Sequence, residues 1–447
     1  MKFPIIPLLL ASSLVSTAFA AERYKDKLFD QVKVTKDVVY ASGVNMLNVE
    51  HELITTASML FEEPLHMYVG EALEDTTSLY MDVYEPVGDI EENRAAVLII
   101  HGGAFVAGAK DDKSMVIINY CEKLARMGYM VFSMEYRLGV SLTAATPYTI
   151  ESDNFSRTVY RGIQDSRSAV RFIRSKAKDY RIDVDRLYIV GNSAGAILGL
   201  ENIYMDKESE IPDVAYKDSD LPNLGKLDEY GVAGENSRAN GVVALWGAVH
   251  DLSIIEDEKT PVFMVHGTAD KTVPYKSGKP LQNLAGTFDL PDQSSIILDQ
   301  LLKVNSPELY GSYLIDSVLT MKGIEHEFYS VDGAGHEVYD LDDQEGIIEK
   351  KTFDFLYRLA AGKGAPIHAI VFAKASGVKM GEGNRYFVVS GSMSADSRPY
   401  AVVDLKGRAI LSGKATVGEN VDLTMLERGV YLLKVKGEKP VRFGIYK

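Results

Sequence analysis

The sequence predicts an α/β protein with a mostly parallel sheet covered by helices on both faces, followed by a small all-β sandwich. Three observations carry this prediction. Between residues 78 and 360, short apolar or alternating runs regularly give way to stretches with helical spacing. That alternation marks strand–helix units and a parallel sheet. One strand-to-helix passage is Gly191-Asn192-Ser193-Ala194-Gly195, a turn made almost wholly of small residues. After Pro366 helical spacing stops, and short strand-like runs separated by turns take over.

The elements read in order as follows. Val32 to Tyr40 alternates loosely, as an edge strand does. Leu79 to Tyr84 alternates too, and Glu85-Pro86 ends it. Ala95 to Ile100 is a continuous apolar run, the pattern of a central strand buried on both faces. Lys113 to Arg126 has helical spacing with Gly128 as a stop, and Val131 to Tyr136 is the next strand. Thr158 to Lys178 sets Val159, Ile163, Val170, Ile173 and Ala177 on one helical face. Arg186 to Val190 is a strand entering the small-residue turn, and Ala194 to Met205 leaves it as a helix. Val242 to Trp246, Val262 to His266 and Phe328 to Val331 are further strands, and a helix runs through Phe353, Leu356 and Leu359.

Two stretches break the alternation. Residues 207–237 are polar, with Pro212, Pro222 and several Gly and Asp, and read as an excursion over the site. Residues 277–319 exceed a minimal crossover. Both are expected to wall a substrate pocket. Ala360 to Pro366 has a linker composition. The domain reading is a leader at 1–20, an α/β domain at 21–362, a linker at 363–375 and a β-sandwich at 376–447. A boundary near Gly364 predicts that the sandwich is dispensable for chemistry.

Composition narrows the function. The 447-residue chain is 46% hydrophobic, ordinary for a globular protein, with a formal net charge of -15. Such an acidic surface repels phosphate backbones and anionic headgroups, which argues against nucleic acid and membrane surfaces as partners. Lys2, the apolar Ile5 to Leu10 and the small-x-small Ala18-Phe19-Ala20 read as a secretory signal peptide, and no later stretch is apolar enough to span a bilayer. Cys121 is the only cysteine, so no intrachain disulfide forms, and its apolar helical setting predicts a buried, inert thiol. No Cys/His cluster has metal-ligand spacing, and no phosphate-binding glycine loop is present, so no cofactor or metal is expected.

Strand, G-x-S-x-G and helix together make the context in which a turn lifts a serine hydroxyl clear of a sheet. Ser193 is therefore the candidate nucleophile. A serine needs a neighbouring base, and the base needs a carboxylate to fix its tautomer. In this architecture they follow in the order serine, acid, histidine. Asp270, just after the strand ending at His266, and His336, in Gly333-Ala334-Gly335-His336, fill those places. Negative charge developing on a carbonyl oxygen needs fixed N–H donors. Gly103 and Ala104, in His101-Gly102-Gly103-Ala104-Phe105, and Ala194 are the candidates. His101 and His266 precede glycines at strand ends and read as structural. His250 and Asp251 are rivals to the chosen pair. Trp246 is open between pocket wall and core.

From about Ser78 to Gly362 the chain resembles α/β-hydrolases of the carboxylesterase and hormone-sensitive-lipase-like group. The likeness rests on His101 to Phe105, Tyr136-Arg137-Leu138, Gly191 to Gly195, His266 to Pro274 and Gly335-His336. It implies a serine carboxylic-ester hydrolase, its motifs specifying the reaction far more than the substrate. A small or polysaccharide-linked ester is the expected substrate, and export, acidity and the β-module would suit plant-wall acetyl or feruloyl esters. That group often has a third glycine where Ala104 stands, so Ala104 must adopt dihedrals that suit glycine.

A prolyl-oligopeptidase-like peptidase shares the residue order, but the region before Ser78 is too short for the propeller usual in that family. A binding protein on a hydrolase scaffold usually loses the serine or the histidine, and both are retained. The C-terminal module resembles type IX secretion sorting domains through Tyr400 to Leu411, Leu426 to Val435 and Gly444 to Lys447, though it lacks their usual Pro-Asn-Pro opening. This implies a bacterial protein, secreted or held at the cell surface, with secretion machinery as a partner. A carbohydrate-binding or purely structural module is the other reading.

Overall fold

The computed structural model describes residues 21–44, 65–71, 76–143, 147–216, 221–256, 259–282, 298, 300–341 and 343–362 of the main body. Beyond these it describes 370–372, 378–380, 386–389, 397–404, 408–416, 420–427, 429–435 and 441–445. The expected signal peptide, 1–20, lies outside them. Nine strands form the main sheet: β1 (Val32–Val44), β2 (Thr76–Pro86), β3 (Arg94–Ile100), β4 (Met130–Met134), β5 (Ile182–Asn192), β6 (Val242–Leu245), β7 (Val262–Gly267), β8 (His326–Val331) and β9 (Ile370–Phe372). Their order across the sheet is β1-β2-β4-β3-β5-β6-β7-β8-β9. β2 alone runs against the others, pairing antiparallel with both β1 and β4.

Sequence patterning explains the layers. All seven residues of β3 are buried. Ala96, Leu98 and Ile100 join the core on one face, and Ala95, Val97 and Ile99 the core on the other. A strand covered on both sides has no polar face to alternate with, which is why it reads as a continuous apolar run. Helices α1 (Val116–Arg126) and α5 (Gln344–Ala360) cover one face. Helices α2 (Ser152–Ser175), α3 (Ala194–Tyr204) and α4 (Ser312–Lys322) cover the other. Removing a side chain such as Leu98, fully buried between β3 and these helices, costs about 2–5 kcal/mol. Strand order, one reversed strand and two helical layers define the α/β-hydrolase fold.

Three expectations need correction. Helix α2 begins at Ser152, six residues before the expected start at Thr158. The expected linker, 363–375, contributes β9, which pairs in parallel with β8 through Phe328↔Ile370 and Ser330↔Phe372. The described residues of the excursion, 207–216 and 221–237, pack along α2 instead of over Ser193. Buried arginines spaced along α2 hold it. Arg157 donates to the Val214 and Pro222 carbonyls (2.6 and 2.5 Å), and Arg171 Nε to that of Val232 (2.7 Å). Gln164 Nε2 donates to the Leu224 and Lys226 carbonyls, both at 2.8 Å. These donors answer carbonyls that an irregular buried segment cannot pair with itself.

The C-terminal module has two antiparallel sheets. β10 (Val378–Met380), β11 (Tyr386–Val389) and β14 (Asn420–Asp422) form one. β12 (Ser397–Asp404), β13 (Ala409–Thr416), β15 (Gly429–Val435) and β16 (Val441–Ile445) form the other. They share a core of Phe387, Val402, Leu433 and Phe443 among others. The module touches the main body through buried Arg442, which pairs with Asp316 and donates to Ser317 Oγ of α4 at 2.7 Å.

Candidate active site

The turn between β5 and α3 is as tight as its composition requires. A side chain on Gly191 would meet the Gly195 carbonyl oxygen at 2.3 Å, and one on Gly195 would meet that of Ile100 at 2.0 Å. Both distances are far inside van der Waals contact. Ser193 itself takes φ 52° and ψ −119°, a strained conformation for any residue with a Cβ. Its N–H donates to the Leu245 carbonyl at 2.9 Å, which fixes the turn to β6.

Ser193, His336 and Asp270 lie in one hydrogen-bonded row. Ser193 Oγ is 2.9 Å from His336 Nε2, and His336 Nδ1 is 2.8 Å from Asp270 Oδ2. A carboxylate only accepts, so the proton of a neutral ring sits on Nδ1, and Nε2 is free to accept from the serine hydroxyl. Each residue follows the carboxyl end of a parallel strand: β5, β7 and β8. Trp246 is fully buried and packs edge-on against the His336 ring at 6.2 Å and Tyr339 at 4.9 Å. It is the floor beneath the histidine.

Asp270 is held from several sides. Its Oδ1 accepts from the Thr272 and Val273 backbone N–H groups at 2.8 and 3.0 Å. Its Oδ2 also faces His266 Nε2 at 3.1 Å. Burial alone would raise this carboxyl, but hydrogen bonds from His266 and then His336 outweigh it and hold the group well below the usual carboxylate range. His266 Nδ1 is in turn 2.9 Å from Ser312 Oγ at the start of α4. The sequence reading treated His266 as structural and missed this anchoring. The signal was its four-residue spacing to Asp270 across a Gly-Thr turn.

The loop after β3 is the second strained segment. Gly103, Ala104 and Phe105 have φ of 105°, 54° and 64°. Ala104 thus adopts the left-handed region that glycine favours. The Val106 and Ala107 N–H groups both donate to the Gly103 carbonyl at 2.9 Å. Tyr136, from the Tyr-Arg-Leu motif, donates its hydroxyl to the His101 and Gly102 carbonyls (3.2 and 3.1 Å) and stacks on the His101 ring at 4.5 Å. Arg137 beside it binds Asp165 through Nε at 2.9 Å. His101 Nδ1 donates to the Gly102 carbonyl at 2.8 Å.

The loop and the serine turn border one cavity of about 390 Å³, which Gly103, Ala104, Asn192, Ser193 and His336 help to line. No described residue of 207–237 or 277–319 lines it. Instead Pro212 and Pro307 to Leu309 help to line a second, largely apolar cavity of about 140 Å³. The rivals lie elsewhere too. His250 Nδ1 binds Glu201 at 3.0 Å, and Asp251 accepts from the Ser253 N–H at 2.8 Å. Burial would lower His250, but the Glu201 charge outweighs it and raises the ring. Cys121 is buried, and burial pushes its thiol up to about 12.

A family model described as BD-FAE matches residues 81–220, which contain both strained segments. Lipase 1 of Geotrichum candidum is 28% identical over 139 residues, 30% of this chain and 23% of that protein. The neuroligin-like protein glit-1 of Caenorhabditis elegans is 28% identical over 126 residues, 27% of this chain and 15% of that protein. The chain therefore covers less than a quarter of the length of these two relatives. Among solved structures, a truncated carbohydrate esterase from gut microbiota is 20% identical, with a TM-score of 0.43, covering 75% of this chain and 98% of that one.

Proposed function

We propose that this chain is a serine carboxylic-ester hydrolase. Ser193 attacks the acyl carbon while His336 Nε2 takes its proton. Asp270 keeps the proton on Nδ1 and stabilises the imidazolium. The Gly103, Ala104 and Ala194 N–H groups receive the carbonyl oxygen as it becomes negative. His336 then protonates the departing alcohol, and water, activated by the same ring, releases the acid from Ser193. The observation that carries this reading is the row from Ser193 Oγ to His336 Nε2 (2.9 Å) and from Nδ1 to Asp270 Oδ2 (2.8 Å), standing beside an open cavity.

We extend the proposal to export and substrate. The leader-like residues 1–20 and the sorting-like C-terminal module support secretion or surface attachment in a bacterium. Acetyl or feruloyl esters of plant-wall polysaccharides are the substrates we propose for such an enzyme. The test is turnover of a panel of short-chain, long-chain, acetyl-xylan and feruloyl esters by the purified chain and by Asp270→Asn and Asp251→Asn. Hydrolysis of at least one ester, sharply reduced in Asp270→Asn and retained in Asp251→Asn, is expected. Absence of turnover on every ester, or greater harm from Asp251→Asn, would remove the reading.

A further inference from the structure

The cavity beside Ser193 has walls of one charge. Asp112, Glu337 and Asp340 line it, and no lysine or arginine is among its described lining residues. No cation among the described residues pairs with any of the three. The lysines flanking Asp112 are engaged elsewhere: Lys110 with Asp37 and Asp82 at 3.0 and 3.3 Å, and Lys113 with Glu122 at 3.5 Å. Asp112 is fixed in place, its Oδ1 accepting from the Ser114 N–H and hydroxyl at 2.9 and 2.7 Å. No ion pair among the described residues neutralises these carboxylates, and burial with the nearby Asp340 and Asp270 raises the Glu337 carboxyl above its ordinary value against the opposing pull of His336.

Chemistry decides which part of a substrate meets it. For the acyl–oxygen bond to break, His336 must hand the serine's proton to the alcohol oxygen. The alcohol portion therefore lies on the His336 side. Glu337 follows His336 directly in the chain, Asp340 lies four residues beyond it, and both border the same space. Like charge brought into a partly closed cleft is repelled, and opposite charge is concentrated there.

We propose that Glu337 and Asp340 on the His336 side, with Asp112 lining the same cavity, make the site a charge filter for the alcohol portion. It admits esters of uncharged or cationic alcohols and rejects esters whose alcohol carries a carboxylate, sulfate or phosphate. The filter rests on the hydrolase reading above. Its strength is set by screened interactions over several ångströms, about three- to tenfold in rate for each carboxylate. It weakens with salt, because the Debye length falls from about 30 Å at 0.01 M to about 8 Å at 0.15 M.

The experiment uses three acetates of one shape: phenyl acetate, 4-carboxyphenyl acetate and 4-(trimethylammonio)phenyl acetate. Their kcat/KM is measured at low and high salt for the parent, Asp112→Asn, Glu337→Gln, Asp340→Asn and the triple variant. The readout is each charged ester's kcat/KM relative to phenyl acetate, compared between variant and parent. That double ratio cancels leaving-group reactivity and any change in His336 basicity. The carboxylate ratio should rise about three- to tenfold in each single variant, and the cationic ratio should fall, with both changes shrinking at high salt. Unchanged ratios in a folded triple variant that still turns over phenyl acetate would overturn the filter and leave the hydrolase reading standing. Failure of the parent on every ester in the panel and on phenyl acetate would remove that reading and the filter with it.

Discussion

Two strained segments meet at the cavity, and they are built differently. The turn around Ser193 concentrates its strain in one residue, at φ 52°, between two glycines whose missing side chains make room for backbone 2.0 to 2.3 Å away. The loop after β3 spreads its strain over Gly103, Ala104 and Phe105, two of which have a Cβ. A non-glycine residue in the left-handed region costs roughly 1–2 kcal/mol. Contacts from distant parts of the chain offset that cost. The Phe105 ring packs edge-on against Tyr136 and Phe155 at 6.1 and 6.0 Å, and its carbonyl accepts from the Gly139 N–H at 2.7 Å. The serine turn is thus specified by glycines where backbone passes too close for a side chain, within the turn and against β3, and the loop by side chains packed on it from distant parts of the chain.

The largest effect should come from the serine turn and its partner. Ser193→Ala or His336→Ala should lower turnover by up to about 10⁶-fold, and the double variant should be little worse, because the residues act as a unit. Steady-state kinetics on the best ester substrate measures this. Near-normal turnover in Ser193→Ala would break the comparison at its stronger end.

The loop comes next, and there the backbone matters more than the side chain. Ala104→Pro removes the N–H and, with its ring holding φ at about −65°, cannot keep the positive φ of this position, so it should cost at least about 10²–10³-fold in turnover, the effect of one lost donor. Ala104→Gly keeps the donor and relieves the left-handed strain while adding unfolded-chain entropy. Turnover should stay within a few-fold of the parent, and thermal unfolding should shift by about 1 kcal/mol or less. Loss of activity in a folded Ala104→Gly variant, with Ala104→Pro spared, would show that the loop contributes no donor.

The smallest effect is on acid stability. The Asp270 carboxyl is held below its unfolded value of about 3.9. The unfolded chain therefore binds more protons there as pH falls. Its contribution to stability is complete above that value and is lost progressively as pH drops below it. Asp270→Asn should flatten the acid limb of unfolding midpoints below about pH 4. An unchanged acid limb would mean that the hydrogen bonds from His266 and His336 do not stabilise the charge.

The same contrast accounts for what could be read from the sequence. Ser193, Asp270 and His336 were legible because each sits just past the carboxyl end of an apolar strand. Gly191 and Gly195 were legible because tight backbone contact excludes every other residue. The loop contacts of Tyr136 and the anchoring of Asp270 by His266 were less so, because they depend on how strands far apart in sequence are set side by side. The excursion 207–237 was misread for a related reason. Its partners are Arg157, Gln164 and Arg171 on α2, and long-range carbonyl bonds leave no periodic mark on the segment that accepts them. The arginine spacing on α2 was the available sign. Strand β9 was hidden because Ile370 to Phe372 is a three-residue edge strand beyond a stretch of linker composition.

All of the proposed chemistry depends on an activated serine at the β5–α3 turn. Covalent labelling with a fluorophosphonate probe, followed by peptide mass spectrometry, tests it most directly. Folded protein should acquire one adduct, on the peptide containing Ser193, and His336→Ala should lose most of it because the hydroxyl no longer has its base. A folded parent that takes no label, or that is labelled on another residue, would contradict the claim.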